Sequence, residues 1–321
     1  MPIRLLEQVR AGCKTVAEQA SLIQIEVDRI PAYAAALPIS ETTRPAHDPE
    51  CHYLGHGDDT AVFFMTLDAI NFGSGYFPHL RKHTGRSGYF TVAGCLTAHF
   101  KDNGPFSARD LSRLTAADCN RIFGQDPGNA PIAELMGLFT RALNELGAYL
   151  QTNFGGSFTG LIAAAGASAE RLIQLLAKMP GFKDVAQWEG AEVPFFKRAQ
   201  LTAADLALAF NGKGPGRFED LDDLTIFADN LVPHVLRVDK ILRYPAKLCS
   251  RIDAGDLIAA GSREEIEIRA CALHAVELIK AALSESGHSI NAMALDFLLW
   301  NRGQQPAYKS IPRHRTRTFF Y

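Results

Sequence analysis

From Ile132 to Leu150 the apolar residues Leu135, Leu138, Phe139, Ala142, Leu146, Tyr149 and Leu150 return at about the 3.6-residue period of an α-helix, so one stripe of this segment faces a core. The same period runs from Ser168 to Met179, where Leu172, Ile173, Leu175, Leu176 and Met179 form the apolar side. Ser168 followed by Glu170 and Arg171 suits a helix start, and Gly181 ends the element. A third long helix is predicted over Glu264–Ser284, with Ala272, Val276, Ile279 and Leu283 on one line and acids in the first turn, where they suit the macrodipole. Strand-like alternation is scarce: 88–92 and 192–196 are the candidate short strands, too few for a large sheet. The fold class is therefore mainly α, a multi-helix globular fold.

A chain of 321 residues, 47% hydrophobic and 21% charged, can close a substantial core. It is expected to form a single domain, with two helical lobes at about 1–130 and 131–321 as a possible division, since no repeat or low-complexity run separates composition regimes. No apolar run reaches the roughly 18 to 20 residues of a membrane span, and the N-terminus lacks a signal-peptide core, so a cytoplasmic protein is expected. The six cysteines are scattered, without a CxxC pair or zinc-finger spacing, and read as free and mostly buried thiols. A formal net charge of -2 argues against the broad positive field of a nucleic-acid-backbone binder, while leaving room for a small anionic ligand in a local basic pocket.

The most informative stretch is Asn211–Tyr244. Its GKGPG core, 212–216, cannot be helical and favours a tight turn that exposes backbone N–H groups. After it Leu221, Leu224, Phe227, Leu231 and Val235 fall on roughly one side of a helix that carries Asp229. Pro233, four residues on, removes the hydrogen bond to the Asp229 carbonyl, which predicts a kink there. A carboxylate among Phe227, Ala228 and Leu231 is partly desolvated. It either caps a helix, pairs with an arginine, or serves as a functional acid.

Other segments carry polar chemistry with a structural alternative beside each. Lys197 and Arg198 follow two aromatics and either snorkel or bind an anion. Glu265 and Arg269 are spaced as a surface ion pair; Glu267 lies about 200° round the helix from Glu265, so one of the two acids faces inward. At the C-terminus Arg313, His314, Arg315 and Arg317 precede Phe319, Phe320 and Tyr321, whose packing would hold the basic groups in place as an anion site. Asp68, Asn71 and Phe72 precede Gly73-Ser74-Gly75 without the spacing of a phosphate-binding loop, and either read a base edge or end a helix.

Taken together, these segments resemble the queuosine salvage family, whose characterised members hydrolyse queuosine 5'-phosphate to release queuine. The matching runs are FGGSF at 154–158, EGAEVPFFKRAQ at 189–200, GKGPGRFEDLDDLTIFAD at 212–229, EIEIRA at 265–270, AVELI at 275–279, DFLLW at 296–300 and PRHRTRTFFY at 312–321. The resemblance implies a core like that of helix-hairpin-helix DNA glycosylases, with Asp229 as the catalytic carboxylate and Lys197 as an active-site lysine. Asp68, Asn71, Phe72, Asn230, Glu267, Arg198, His314, Arg315 and Arg317 are the expected substrate-binding residues. One departure stands out: where eukaryotic members have an aromatic-rich stretch after Asn-Phe, this chain has Gly73-Ser74-Gly75, with Tyr76 and Phe77 displaced.

Cleavage of a base–ribose bond builds positive charge on the sugar, which a fixed carboxylate stabilises. A 7-deazapurine lacks N7, so its departure is assisted by donors elsewhere on the base, which Asp68, Asn71 and Glu267 are candidates for positioning; Lys197 and the 313–317 cluster are the candidates for the 5'-phosphate. No metal or redox cofactor is expected, and the expected partner is a small nucleotide, not a stable nucleic-acid complex. The competing readings are a hydrolase for another nucleoside 5'-monophosphate and a non-catalytic nucleic-acid-binding module.

Overall fold

The computed structural model describes residues 3–39 and 45–321, and it is mainly helical, as the periodicity predicts. Contacts divide the chain into two units, each drawn from separated segments. One comprises the chain up to Pro45 with Asp184–Lys197 and Asp222–Arg317; the other comprises Ala46–Lys183, Arg198–Leu221 and Thr318–Tyr321. Residue 130 lies within the second unit. Among the described residues no helix is long and apolar enough to cross a membrane.

The first unit is organised on the helix Arg263–Glu285, against which Leu5–Gln19 and Ile30–Ala36 pack. Ser262 caps it by accepting from the Glu265 amide, and the predicted line of Ala272, Val276, Ile279 and Leu283 is buried. From Glu265 to Arg269 the helix is covered on every side, because Glu265, Ile266, Glu267, Ile268 and Arg269 are all buried. The Glu265–Arg269 pair is thus no surface contact: it spans 3.4 Å with both side chains nearly inaccessible. Spacing predicts that such a pair forms, while the elements packed over it decide whether water reaches it. Helices Leu231–Val238 and Ala292–Gly303 cross closely; a Cβ added at Gly303 would lie 2.8 Å from Leu231 Cδ1.

The kink predicted at Asp229 is absent, because the helix starts after it. Leu221–Asp223 makes a single 3-10 turn, 224–230 is non-helical, and Leu231–Val238 comes next. Pro233 then falls in the first turn, where its missing N–H removes no intrahelical bond. The predicted strand in 192–196 is realised as Ala191–Pro194, paired with Val185–Trp188 in an antiparallel hairpin.

In the second unit Ala130–Phe154 is the long helix expected from its stripe, and Asp58–Ala69, Ala108–Leu111, Ala116–Ile122 and Phe158–Ala164 pack on it. Ala169–Leu176 is capped as predicted: the Ser168 hydroxyl accepts from the Arg171 amide, and the Asp220 carboxylate receives the Ala169 and Glu170 amides. The strand considered at 88–92 is instead the start of helix Gly88–Asn103. Its aromatic and β-branched residues have strand propensity, but the Ser87 cap and the continuation of the helix to Asn103 outweigh it. The glycine turn is present, as Gly212 and Gly214 take φ of +69° and +51°. A Cβ on Gly216 would lie 2.3 Å from the Leu206 carbonyl oxygen, so that residue is required for close packing.

Candidate active site

Asp229 occupies the non-helical link just before Leu231–Val238. Its Oδ1 accepts hydrogen bonds from the amides of Leu231 at 2.7 Å and Val232 at 3.3 Å, groups that the first turn of a helix leaves without intrahelical acceptors. Oδ2 has no hydrogen-bond partner among the described residues, and the residue is half-buried. Both neighbours are tied down. The Ala228 carbonyl accepts from Arg269 Nε at 2.9 Å, and Asn230, itself buried, donates from Nδ2 to the His314 carbonyl at 3.3 Å. The arrangement orients one carboxylate oxygen and leaves the other available.

A second acid belongs to the same neighbourhood. Asp296, on the helix Ala292–Gly303, is buried and accepts from the Phe227 amide at 2.9 Å. Burial raises its pKa well above the usual carboxylate range; the Asp229 charge adds to this, and the Phe227 amide and the Lys197 cation oppose it. Asp296, Asp229 and Lys197 thus lie within electrostatic reach of one another. Sequence reasoning passed over Asp296 as a site residue, although its signal was present: a lone acid within the otherwise apolar run 292–300.

Lys197 is buried and follows Phe196, which has φ of +49°. Its amide donates to Asp184 Oδ2 at 3.2 Å. Asp184 was another residue that spacing did not single out, because its partners lie far off in the chain. It is paired with Arg269 through contacts of 3.1 and 2.6 Å.

The C-terminal basic run, 313–317, is non-helical, and the Ile258 amide donates to the Arg315 carbonyl at 2.8 Å. The pairing joins Arg315 to Leu257 as an isolated parallel bridge. Burial alternates along the run: His314 and Thr316 are buried, while Arg313, Arg315 and Arg317 are half-buried. Burial pushes the His314 pKa down to about 3, with His234 and the arginines around it adding to the shift, so its imidazole is neutral at pH 7 and brings no positive charge to an anion. Burial also lowers the Arg313 pKa, which the nearby Asp229 charge opposes. Glu267 is fully buried, with its carboxylate receiving the amides of Leu22 at 2.8 Å, Ile23 at 3.1 Å and Ser21 at 3.4 Å and Arg263 Nε at 2.9 Å.

The remaining expected residues belong to the second unit. Asp68 and Asn71 meet at the end of helix Asp58–Ala69, where Asn71 Nδ2 donates to Asp68 Oδ1 at 3.4 Å. Phe72 is a buried ring that meets Phe139 and Phe319 edge-on. Arg198 stacks 4.7 Å from the Phe72 centroid and donates to the carbonyls of Ala69, Gly181 and Phe319. Gly73 takes φ of +102° and donates to the Tyr321 carbonyl, and a Cβ there would lie 2.6 Å from Leu135 Cδ1. The expected anchoring of the terminal aromatics is seen in Phe319 and in the buried Tyr321.

Fold and site together define a mainly helical protein with one oriented, half-open carboxylate, a buried second acid, a buried lysine and a row of arginines. Comparison with known proteins narrows that class. The family model described as queuosine salvage protein matches residues 51–321, and the chain belongs to that family. It is 37% identical over 313 residues, 96% of each chain, to the queuosine 5'-phosphate N-glycosylase/hydrolase of Sphaerobacter thermophilus. It is 34% identical over 246 residues to the mouse protein of that name, covering 73% of this chain and 72% of the relative. The Dictyostelium discoideum protein of the same name is 33% identical over 263 residues, covering 82% of this chain and 78% of the relative.

Proposed function

We propose that this protein hydrolyses the N-glycosidic bond of queuosine 5'-phosphate and releases queuine, with Asp229 as the carboxylate that meets the developing ribosyl cation. The observation that carries the reading is the division of labour within that carboxylate: Oδ1 is held by two helix-start amides and Oδ2 is uncommitted among the described residues. A fixed negative group needs no reorganisation as positive charge builds on the sugar, so it favours the transition state over the ground state. Oδ2 either bonds to the anomeric carbon, to be displaced by water, or takes a proton from the water that attacks it; both routes end in free base and ribose 5-phosphate. Lys197 and the arginines at 313, 315 and 317 are assigned to the substrate's anionic end, where guanidinium geometry suits a phosphate. In the same reading, the fold carries the helix-hairpin-helix core that the family resemblance implies, with the glycine turn at 212–216 as its hairpin.

The test is incubation of the purified protein with queuosine 5'-phosphate and chromatography of the products. Free queuine and ribose 5-phosphate are expected, and Asp229→Asn is expected to lower kcat by about 100- to 1,000-fold. Wild-type protein that binds tRNA in a salt-sensitive gel shift and releases no base would overturn the reading.

A further inference from the structure

One buried guanidinium connects the two chain segments that hold Asp229 and Lys197. Arg269 Nε donates to the carbonyl of Ala228, the residue before Asp229, at 2.9 Å. Its two terminal nitrogens grip Asp184 at 3.1 and 2.6 Å, and one of them also reaches Glu265 Oε1 at 3.4 Å. The guanidinium carbon sits 3.9 Å from the centroid of the Phe195 ring. Asp184 passes the connection onward: Oδ2 accepts from the Lys197 amide at 3.2 Å, and its carbonyl accepts from Phe195 at 2.9 Å and Phe196 at 3.1 Å. Those bonds hold Phe196 at φ of +49°, a conformation that non-glycine residues rarely adopt.

We infer that Arg269, acting through Asp184, is a positioning residue that sets the backbone of Asp229 and of Lys197 to one common frame. The inference rests on the proposed function and adds a specific residue pair to it. Arginine suits the task because a planar guanidinium donates in several fixed directions at once, here to a peptide carbonyl and to both oxygens of one carboxylate. A lysine at the same point keeps the charge and cannot keep all those directions. Loosening the frame displaces the Asp229 carboxylate from the anomeric carbon by a fraction of an ångström to an ångström, a scale on which rates fall by about 100-fold.

The experiment measures kcat and KM for queuosine 5'-phosphate with Arg269→Lys, Asp229→Asn and the double variant, each normalised to the folded fraction from near-UV circular dichroism. For Arg269→Lys the expected result is a kcat lower by about 100-fold, a loss larger than any rise in KM that follows from displacing Lys197. Because Arg269 acts through Asp229, adding Arg269→Lys to Asp229→Asn is expected to lower the residual rate little further. A kcat for Arg269→Lys within about threefold of wild type overturns the inference, as do two losses that multiply in the double variant. Should Arg269→Lys not fold, Asp184→Asn is judged by the same criteria. Wild-type protein that releases no base removes the proposed function itself, an outcome distinct from active wild type with an undisturbed Arg269→Lys.

Discussion

Glu267 and Asp229 are two carboxylates of the same unit, and their surroundings differ in how fully their oxygens are engaged. Around Glu267 the oxygens receive three backbone amides and a guanidinium, and no solvent reaches the side chain. Around Asp229 the amides take one oxygen and the side chain stays half-buried. A fully engaged buried charge ties elements together, here the segment 21–23 to the helix Arg263–Glu285. An oriented but partly unengaged one can still act on a ligand. Arg198 repeats the lesson for a cation: it is taken up by three carbonyls and the rings of Phe72, Phe182 and Phe319.

The sharpest break of the comparison is the pair of isosteric amides. Asp229→Asn keeps an oxygen for the Leu231 and Val232 amides, so its loss of about 3 to 4 kcal/mol should appear in transition-state stabilisation, with the thermal midpoint nearly unchanged. Equal losses of activity and stability would place Asp229 with Glu267 as a structural acid. Next in size, Arg198→Met should destabilise the fold by about 3 kcal/mol in urea titration, since it strands three carbonyls. Glu267→Gln should lower stability by about 2 kcal/mol and leave kcat per folded molecule unchanged. A selective fall in kcat for Glu267→Gln would erase the distinction between the two acids.

The remaining predictions concern pH. Burial lowers the pKa of His234 to about 4 and that of His314 to about 3, from an ordinary value of 6.5. Their contribution to stability is therefore complete above about pH 6.5 and is lost as the pH falls through those folded values. Asp296 has the opposite sign: its raised pKa favours the folded state most below the ordinary carboxyl value near 3.8, and that contribution declines as the pH rises. Thermal melts between about pH 7 and pH 3 should show His314→Asn losing less stability on acidification than wild type. An identical pH slope in the two proteins would mean that His314 is not held neutral.

Much of the helical architecture was legible in local patterns. The stripe at 132–150, the part of the 168–179 stripe up to Leu176, where the helix ends ahead of the predicted stop, the Ser168 cap and the acidic first turn of Arg263–Glu285 depend on residues three or four apart, so period and propensity suffice. The segment 88–92 misled because its aromatic and β-branched residues favour a strand, and the helix was decided by the Ser87 cap and by residues 93–103. Asp229 itself was readable as a candidate, although its place ahead of a helix and not within one depended on Pro233 being accommodated in the first turn.

The sequence by itself determined which stretches coil into helices, where the glycine turn interrupts them, and that the basic C-terminal run ends in anchoring aromatics. Only the tertiary structure decided that Glu265 and Arg269 are buried, that Asp184 meets Arg269 across 85 positions, and that Asp296 lies within reach of Asp229. The physical reason is range. Helix formation is governed by neighbours along the chain, whereas the desolvation and pairing of a charge are set by side chains that approach from distant positions, and those distances are not written in local spacing.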